Sequence, residues 1–231
     1  MVNAKKQFSE SELLEIETAI IQAEERTSAE IVVAVSTESG RYDRGECHFG
    51  VVVSILALVL FNLLNALFID HELSFFEVGL PFYWQLAVVV AGYVVGIMIA
   101  SLNIKMRMLL GTPEEVEQEV AKGARLVFLE EVLSSQRLGG AVLIYLSLAE
   151  CRVAVMVDDR IKSAMGKNCN DLVTDTQNRI VRLIGEGRLS HALSAGVDLL
   201  AGRLEKSVPY REDNVNELPN HVVLILSLIH I

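Results

Sequence analysis

Acidic side chains beside predicted strands are the residues of this sequence best placed to do chemistry. Asp158 and Asp159 follow a buried apolar run, and Glu150 lies in the turn before that run. Glu30 begins an earlier apolar run. Strand ends are the usual place for ligand groups in α/β sheets, and carboxylate oxygens are the ligands that Ca²⁺ and Mg²⁺ prefer. The four acids are therefore candidate ligands of one Ca²⁺ or Mg²⁺ ion, although acids that only end strands and cap helices would leave the same pattern.

Standard catalytic signatures are absent. The sequence contains no GxxxxGK[ST], GxGxxG, HExxH or GxSxG pattern, and its three cysteines lack metal-binding spacing. Catalytic residues therefore stay unassigned. If the chain is an enzyme, the acids favour a phosphomonoesterase in which a metal shields the phosphate and activates water. The net charge of −10 argues against a nucleic-acid partner, which would call for a basic surface.

A small sheet covered by helices must position these acids. Near-continuous apolar runs at residues 31–35, 141–148 and 152–157 predict buried strands, the last two joined as a hairpin. Ser9 with Glu12 forms the pattern of a capping box, and Thr112-Pro113 is a typical helix start. Further helices are predicted from about residue 170 to 185, capped by Asn170 or Asp171, and from Ser190 to about residue 206. The fold class is therefore α/β, with a small mixed sheet.

Two long uncharged segments interrupt this domain. Residues 49–69 and 78–104 contain no Asp, Glu, Lys, Arg or His. Because roughly 20 apolar residues span a bilayer as a helix, we predict a transmembrane hairpin over residues 49–104, with helices at about 49–69 and 80–102 and a loop at 70–77. A single strand cannot fold without partners, so we expect residues 1–48 to complete one domain with residues 105–220. The hairpin is then an insertion into that domain.

Small and polar residues within the hairpin predict how its helices pack. Gly92 and Gly96 form a GxxxG pattern, which favours close packing, and Asn62 and Asn65 could supply an interhelical hydrogen bond. Neither span contains an ionisable residue, so we interpret the hairpin as an anchor or partner surface rather than a conduit.

Charged residues at the span boundaries predict the orientation. Basic residues lie on the outer flanks of the hairpin and acidic residues in its loop: Arg41, Arg44, Lys105 and Arg107 against Asp70, Glu72 and Glu77. By the positive-inside rule, both polar segments lie in the cytoplasm and the 70–77 loop lies outside. The expected location is the cell (inner) membrane, as a multi-pass protein.

The last six residues of the sequence have an unusual pattern. Residues 226–231 read LSLIHI, which CTG-TCT-CTT-ATA-CAC-ATC would encode, and this resembles a transposon-end sequencing adaptor. We therefore expect an artefact in residues 226–231, which is left out of the predicted fold, with natural sequence up to about Leu224; the 221–231 tail lies outside the predicted domain.

Three segments together resemble the TPM-domain family, also called TPM phosphatase. They are AEERTSAEIVVAV at residues 23–35, GAVLIYLSLAECRVAVMVDDRI at 140–161 and REDNVNELPN at 211–220. The resemblance implies an α/β sandwich, and some bacterial members carry a transmembrane hairpin after the first strand. The sequence departs from the family pattern in the helix after Asp158-Asp159, where GKNCNDLV lacks the frequent tryptophan, and at Gln136 to Gly140.

The resemblance also implies activities. Family members are associated with acid-phosphatase activity, divalent-metal binding and accessory roles in assembling or maintaining membrane-protein complexes. Glu30, Glu150, Asp158 and Asp159 match motif acids, and residues 216–219 match the closing NELP segment. We expect a non-enzymatic module that binds a membrane-protein partner at the bilayer, with the metal-dependent phosphatase as the alternative and a small-ligand or Ca²⁺ sensor as a third interpretation.

Overall fold

Residues 3–40, 43–68, 82–102, 112–132, 140–211 and 220–226 are described by this computed structural model, apart from the side chains of residues 43, 44, 68 and 132. The helices are α1 (Ala4–Gln7), α2 (Glu10–Glu24), α3 (Asp43–Phe68), α4 (Phe82–Ser101), α5 (Pro113–Val127), α6 (Asp159–Met165), α7 (Asn168–Gly185) and α8 (Leu189–Leu204). A π-helical turn, Phe128–Val132, follows α5. The strands are β1 (Glu30–Ser36), β2 (Ala141–Ser147), β3 (Arg152–Val157) and β4 (Val223–Ile225). The predicted 70–77 loop and the 216–219 segment lie outside the described residues.

The four described strands form one mixed sheet in the order β3-β2-β1-β4. β1 runs parallel to β2, with Glu30 opposite Ala141 and Ser36 opposite Ser147, whereas β3 is antiparallel to β2. The predicted mixed α/β fold is confirmed. β2 is a partner of β1 as expected, but β3 lies on the far side of β2. The second neighbour of β1 is β4, which comes from the 221–231 tail that the sequence interpretation placed outside the domain.

Both faces of the sheet are covered, which explains why β1 and β2 are apolar without alternation. Ile31, Val33 and Val35 point into a core shared with α2, α7 and α8. Val32 and Ala34 point into a second core, which the later part of α5 completes with Val120, Ala124 and Val127. All seven residues of β1 and all seven of β2 are buried, so the sheet is a rigid base for the groups at its two ends.

The chain divides into two compact units. Residues 1–40 and 117–231 form an α/β unit that is discontinuous in sequence, and residues 41–116 form the other unit, which contains α3 and α4. β1 belongs to the α/β unit although α3 and α4 separate it from β2 along the chain.

Helix starts follow the predictions only in part. Ser9 caps α2 as expected: its hydroxyl accepts the Glu12 N–H at 3.3 Å, and the Glu12 carboxylate accepts the Ser9 N–H at 2.8 Å. The predicted caps of the last two long helices are wrong. α7 begins at Asn168 without a side-chain cap, and Ser190 lies inside α8, buried against the core, instead of preceding it. Burial of an apolar face has outweighed local capping chemistry there.

Candidate functional site

Glu30 and Asp158 lie at the same end of the sheet, where β1 begins and β3 ends. The Glu30 N–H donates to the Gly140 carbonyl and the Asp158 N–H to the Ala141 carbonyl, each at 3.0 Å. Because β2 lies between them, their Cα atoms are about 10 Å apart, two strand spacings. Glu30 is buried, with only 4% of its surface exposed.

Asp158 and Asp159 organise the start of α6. Asp158 is its N-cap, and its Oδ1 accepts the Ile161 N–H at 2.9 Å. The Asp159 carboxylate points into solvent, 97% exposed, and pairs with the Lys162 ammonium at 3.1 Å. Both positions therefore fit the alternative interpretation, in which these acids only end a strand and cap a helix.

Glu150 lies at the opposite end of the sheet, in the turn between β2 and β3. Its carboxylate is buried and accepts the Ser39 N–H at 2.8 Å, the Gly40 N–H at 3.3 Å and the Ser147 hydroxyl. The Ser39 hydroxyl contacts the Tyr145 hydroxyl at 2.8 Å. Burial raises the pKa of Tyr145, and the negative charge of Glu150 acts in the same direction. This hydrogen-bond cluster holds residues 39–40, the segment that follows β1, against the end of β2.

The proposed four-acid metal site is therefore not formed. The length of β1 separates Glu150 from Glu30 by roughly 20 Å at about 3.3 Å per residue, whereas a metal ion needs ligands within ~2.6 Å of one point. Asp158 and Asp159 lie at the Glu30 end, and Asp159 points into solvent. Among the described residues, no group of three or more His, Cys, Asp or Glu side chains is arranged to hold a metal.

Glu24 is an unusual acid that the sequence interpretation missed. It is the last residue of α2, and its Oε1 accepts the N–H of Ile31 at 3.1 Å. Burial raises the pKa of Glu24 to about 7; the charge of Glu30 adds to the rise, while hydrogen bonds from Ile31 and Asn220 oppose it. The sequence carries no signal for it, because one of its partners, Asn220, is distant in the chain. Half-buried Glu24 and buried Glu30 therefore form an interacting acidic pair beside the start of β1.

The two glycines of the predicted GxxxG pattern lie where α4 contacts α3. A Cβ atom added to Gly96 would lie 2.8 Å from the Gly50 Cα, and one added to Gly92 would lie 3.0 Å from the Ser54 Cα. Real Cβ atoms rarely or never approach this closely, so the close contact between the helices requires glycine at both positions. Gly50 extends it on α3, since a Cβ atom there would meet the Tyr93 ring at 2.9 Å.

The asparagines do not contribute as expected. Asn62 donates its side-chain amide to the Leu58 carbonyl of its own helix at 2.9 Å, which is a local i−4 bond rather than an interhelical one. Asn65 is half-buried on the same helix. An amide in α3 can satisfy itself on its own backbone, so the sequence spacing did not determine its partner.

Among the described helices, two are long and apolar enough to cross a membrane. The segments are Gly45–Leu67, of 23 residues with mean hydropathy 2.3, and Phe82–Ser101, of 20 residues with mean hydropathy 1.9. Only 11% of each is buried inside the protein, whereas the core helix of a soluble protein would be mostly buried. This exposure weakly indicates association with a membrane.

Comparison with known proteins bears on the fold alone. No protein-family model matches the chain, and no curated protein matches it. The structure is similar to the NMR structure of BA42 protein from the psychrophilic bacterium Bizionia argentinensis, with a TM-score of 0.54 over 98% of this chain and 99% of that chain. At 18% sequence identity, the likeness shows a shared fold.

Proposed function

We propose that this chain is a two-span membrane protein whose α/β unit binds a membrane-protein partner and assists its assembly or quality control. The observation that supports this best is the hairpin itself. Its helices contact each other through Gly50, Gly92 and Gly96, while large apolar side chains such as Leu63 and Val90 remain 55% exposed. Lipid tails are the surroundings in which such a surface is stable.

In this proposal the α/β unit lies in the cytoplasm beside the inner membrane. The basic residues that flank the hairpin in the sequence support that orientation, with the 70–77 loop outside. The resemblance of the chain to the TPM-domain family, some of whose members act as accessories of membrane-protein complexes, supports the accessory role. The hairpin is inserted between β1 and β2, so both ends of the insertion attach the α/β unit to the bilayer.

The placement of the acids also favours binding over hydrolysis. Asp158 caps α6 and Glu150 holds the 39–40 segment, so each has a structural task at its own end of the sheet.

Co-purification from native membranes tests the proposal. The full chain carries an affinity tag, is cross-linked in place, is solubilised in mild detergent and is compared with an unrelated two-span protein at equal abundance. We expect at least one integral membrane protein to be enriched over that control. If none is enriched with the hairpin intact, the accessory role is wrong.

A divalent-metal-dependent acid phosphatase is the second candidate. Its favourable feature is the interacting pair of half-buried Glu24 and buried Glu30, because neighbouring carboxylates suit a hard cation. The test compares phosphomonoester hydrolysis by the pure full chain, with Ca²⁺ or Mg²⁺, against Glu30→Gln and against Asp158→Asn with Asp159→Asn. Asn also caps helices well, so the second variant keeps the start of α6. Activity that neither variant changes would eliminate this candidate.

A further inference from the structure

A cavity of about 350 Å³ lies beside β3, the strand at one edge of the described sheet. Its apolar walls include Val155, Val157 and Val173, and its polar lining includes Lys162 and Asn170. It lies away from Glu150 and from the Glu24–Glu30 pair, since neither belongs to its lining. It is therefore separate from those three acids, whereas Asp159 lies next to it through its pair with Lys162.

The main chain of β3 faces this cavity with hydrogen-bonding groups that β2 does not use. Asp158 donates its N–H to β2, and antiparallel pairing alternates, so Val153, Val155 and Val157 direct their main-chain groups away from β2. Gln177 of α7 donates to the Val153 carbonyl at 3.3 Å, which agrees with this assignment. Within the described part of the chain, no corresponding hydrogen bond reaches the outward groups of Val155 or Val157. Such an edge pairs readily with another extended chain.

Positive charge lies next to this edge. The Lys162 ammonium lines the cavity, and its pair with Asp159 is a surface contact, 57% and 97% exposed, which holds it weakly. The 18-residue helix α7 begins at the cavity, and its N-cap residue, Lys167, makes no side-chain cap hydrogen bond. The N-terminal end of a helix carries a partial positive charge. A ligand that follows the edge therefore gains from a carboxylate near Lys162.

We propose that this cavity binds an extended acidic segment of the partner protein, which adds to β3 as a fifth strand and places a carboxylate beside Lys162. The inference rests on the proposed function, because it states where the membrane-protein partner is held. Main-chain pairing with Val155 and Val157 supplies the affinity, and the cavity takes one side chain, as in other strand-addition sites.

A second copy of this chain is the competing occupant of this edge. In a symmetric antiparallel pair centred on Val155, Arg152 of one copy would lie opposite Asp158 of the other, so the crosslinking experiment must separate that pairing from an acidic segment of the partner.

Site-specific photo-crosslinking in native membranes is the experiment that tests this. A photoactivatable amino acid replaces Asn170, which is exposed and lines the cavity, in the full chain; the control position is Val181, 51% exposed on the same helix but not part of the cavity lining. Mass spectrometry maps the captured peptide. We expect Asn170, and not Val181, to capture an acidic segment of an integral membrane protein.

The captured segment, made as a fluorescent peptide, is then titrated against the full chain in detergent. Lys162→Glu should weaken its binding about tenfold or more, because a charge-assisted contact is lost and a repulsion appears. Lys206→Glu makes the same charge change at an exposed turn outside the cavity and should leave binding unchanged. Val155→Pro removes an outward N–H without removing a hydrogen bond to β2 and should abolish binding. If Val155→Pro does not fold, Lys162→Glu decides the matter.

The outcomes separate the two proposals. If a membrane-protein partner co-purifies but Asn170 captures nothing, captures lipid or captures another copy of this chain, the docking site is wrong and the accessory role stands. Binding that Lys162→Glu leaves unchanged also overturns the docking site. If no partner co-purifies at all, both proposals fail.

Discussion

The interiors of the two units are built in opposite ways. The α/β unit buries large side chains completely, among them Leu143, Ile144 and Tyr145 in β2. The helices of the other unit meet through Gly50, Gly92 and Gly96, where the absence of a side chain allows close backbone approach. Large apolar side chains fill the interior of the α/β unit, whereas glycines without side chains form the contact between the two helices.

This difference indicates which surroundings each unit is built for. In water, burial of apolar surface contributes roughly 25 cal/mol per Å², so an interior of large side chains is the main source of stability. Among lipid tails that contribution is lost, and close van der Waals contact between helices becomes decisive. Small residues at the contact and large apolar residues outside it are therefore expected of a hairpin in a bilayer.

Gly96→Leu is expected to have the largest effect, because it fills the space in which α3 and α4 meet. The new side chain collides with the Gly50 backbone, which cannot move aside, so the helices separate at a cost of about 3 kcal/mol or more. Double electron–electron resonance in bilayers measures the distance between spin labels at Leu60 and Val90. The mean distance should lengthen and the distance distribution should broaden. Val95→Leu, at a side chain 49% exposed, is the control and should leave the distances unchanged.

Glu150→Ala tests the α/β interior alone. Two N–H groups and the Ser147 hydroxyl lose their acceptor in a buried place, so the free energy of unfolding of the α/β unit should fall by about 3 kcal/mol. Chemical unfolding monitored by circular dichroism measures it, with exposed Glu186→Ala as the control. The spin-label distances of the hairpin should not change. A shift in them would contradict the independence of the two interiors.

Glu24→Gln should change the pH dependence of stability. The folded-state pKa of Glu24 is about 7 and the ordinary value is 4.5, so between these values the unfolded chain has lost a proton that the folded chain keeps. The contribution of Glu24 to stability therefore falls as the pH rises from about 4.5 to 7 and is level above that range. Relative to the wild type, Glu24→Gln should gain on the order of 2 kcal/mol between pH 4.5 and pH 8.

The neighbouring variant Glu25→Gln is the matched control, because Glu25 is exposed. Unfolding curves for both variants at a series of pH values provide the comparison. An identical pH dependence in the two variants would show that Glu24 does not titrate as described.

Gly196→Ala should have the smallest effect. It tests a close contact at a glycine inside the α/β unit instead of in the hairpin. A Cβ atom on this α8 residue would lie 2.5 Å from Ile180 Cδ1, a contact as close as those in the hairpin. Here the obstacle is a side chain, through its Cδ1 and Cγ1 atoms, and not backbone, so we expect a loss of only about 1 kcal/mol. Because Ile180→Ala removes both contacting atoms, Gly196→Ala should cost little in the Ile180→Ala background, and a double-mutant cycle in thermal unfolding measures the coupling. Simple additivity would show that the cost lies elsewhere.

Local pattern predicted most of the elements because local interactions form them. The apolar runs at residues 31–35 and 141–157 became strands, and the Ser9 capping box formed as expected. Short elements were missed: α6 is brief, and β4 is a three-residue strand that depends on its pairing with β1. The candidate site was less predictable. Glu150 lies in the turn between β2 and β3, and Asp158 lies just beyond β3. The whole length of β3 separates them, so they could not meet once β2 and β3 had paired.

The sequence by itself determined the α/β class, the two apolar helices and the insertion of one unit into the other, because these follow from hydrophobic periodicity and from the length of uncharged runs. Only the tertiary structure decided which acids lie together. It brought Asn220 to Glu24, held Glu150 at the far end of the sheet from Glu30, and left the edge of β3 beside Lys162 without a neighbouring strand among the described residues. These outcomes depend on contacts between residues distant in the chain, and no local spacing encodes the order in which strands pair.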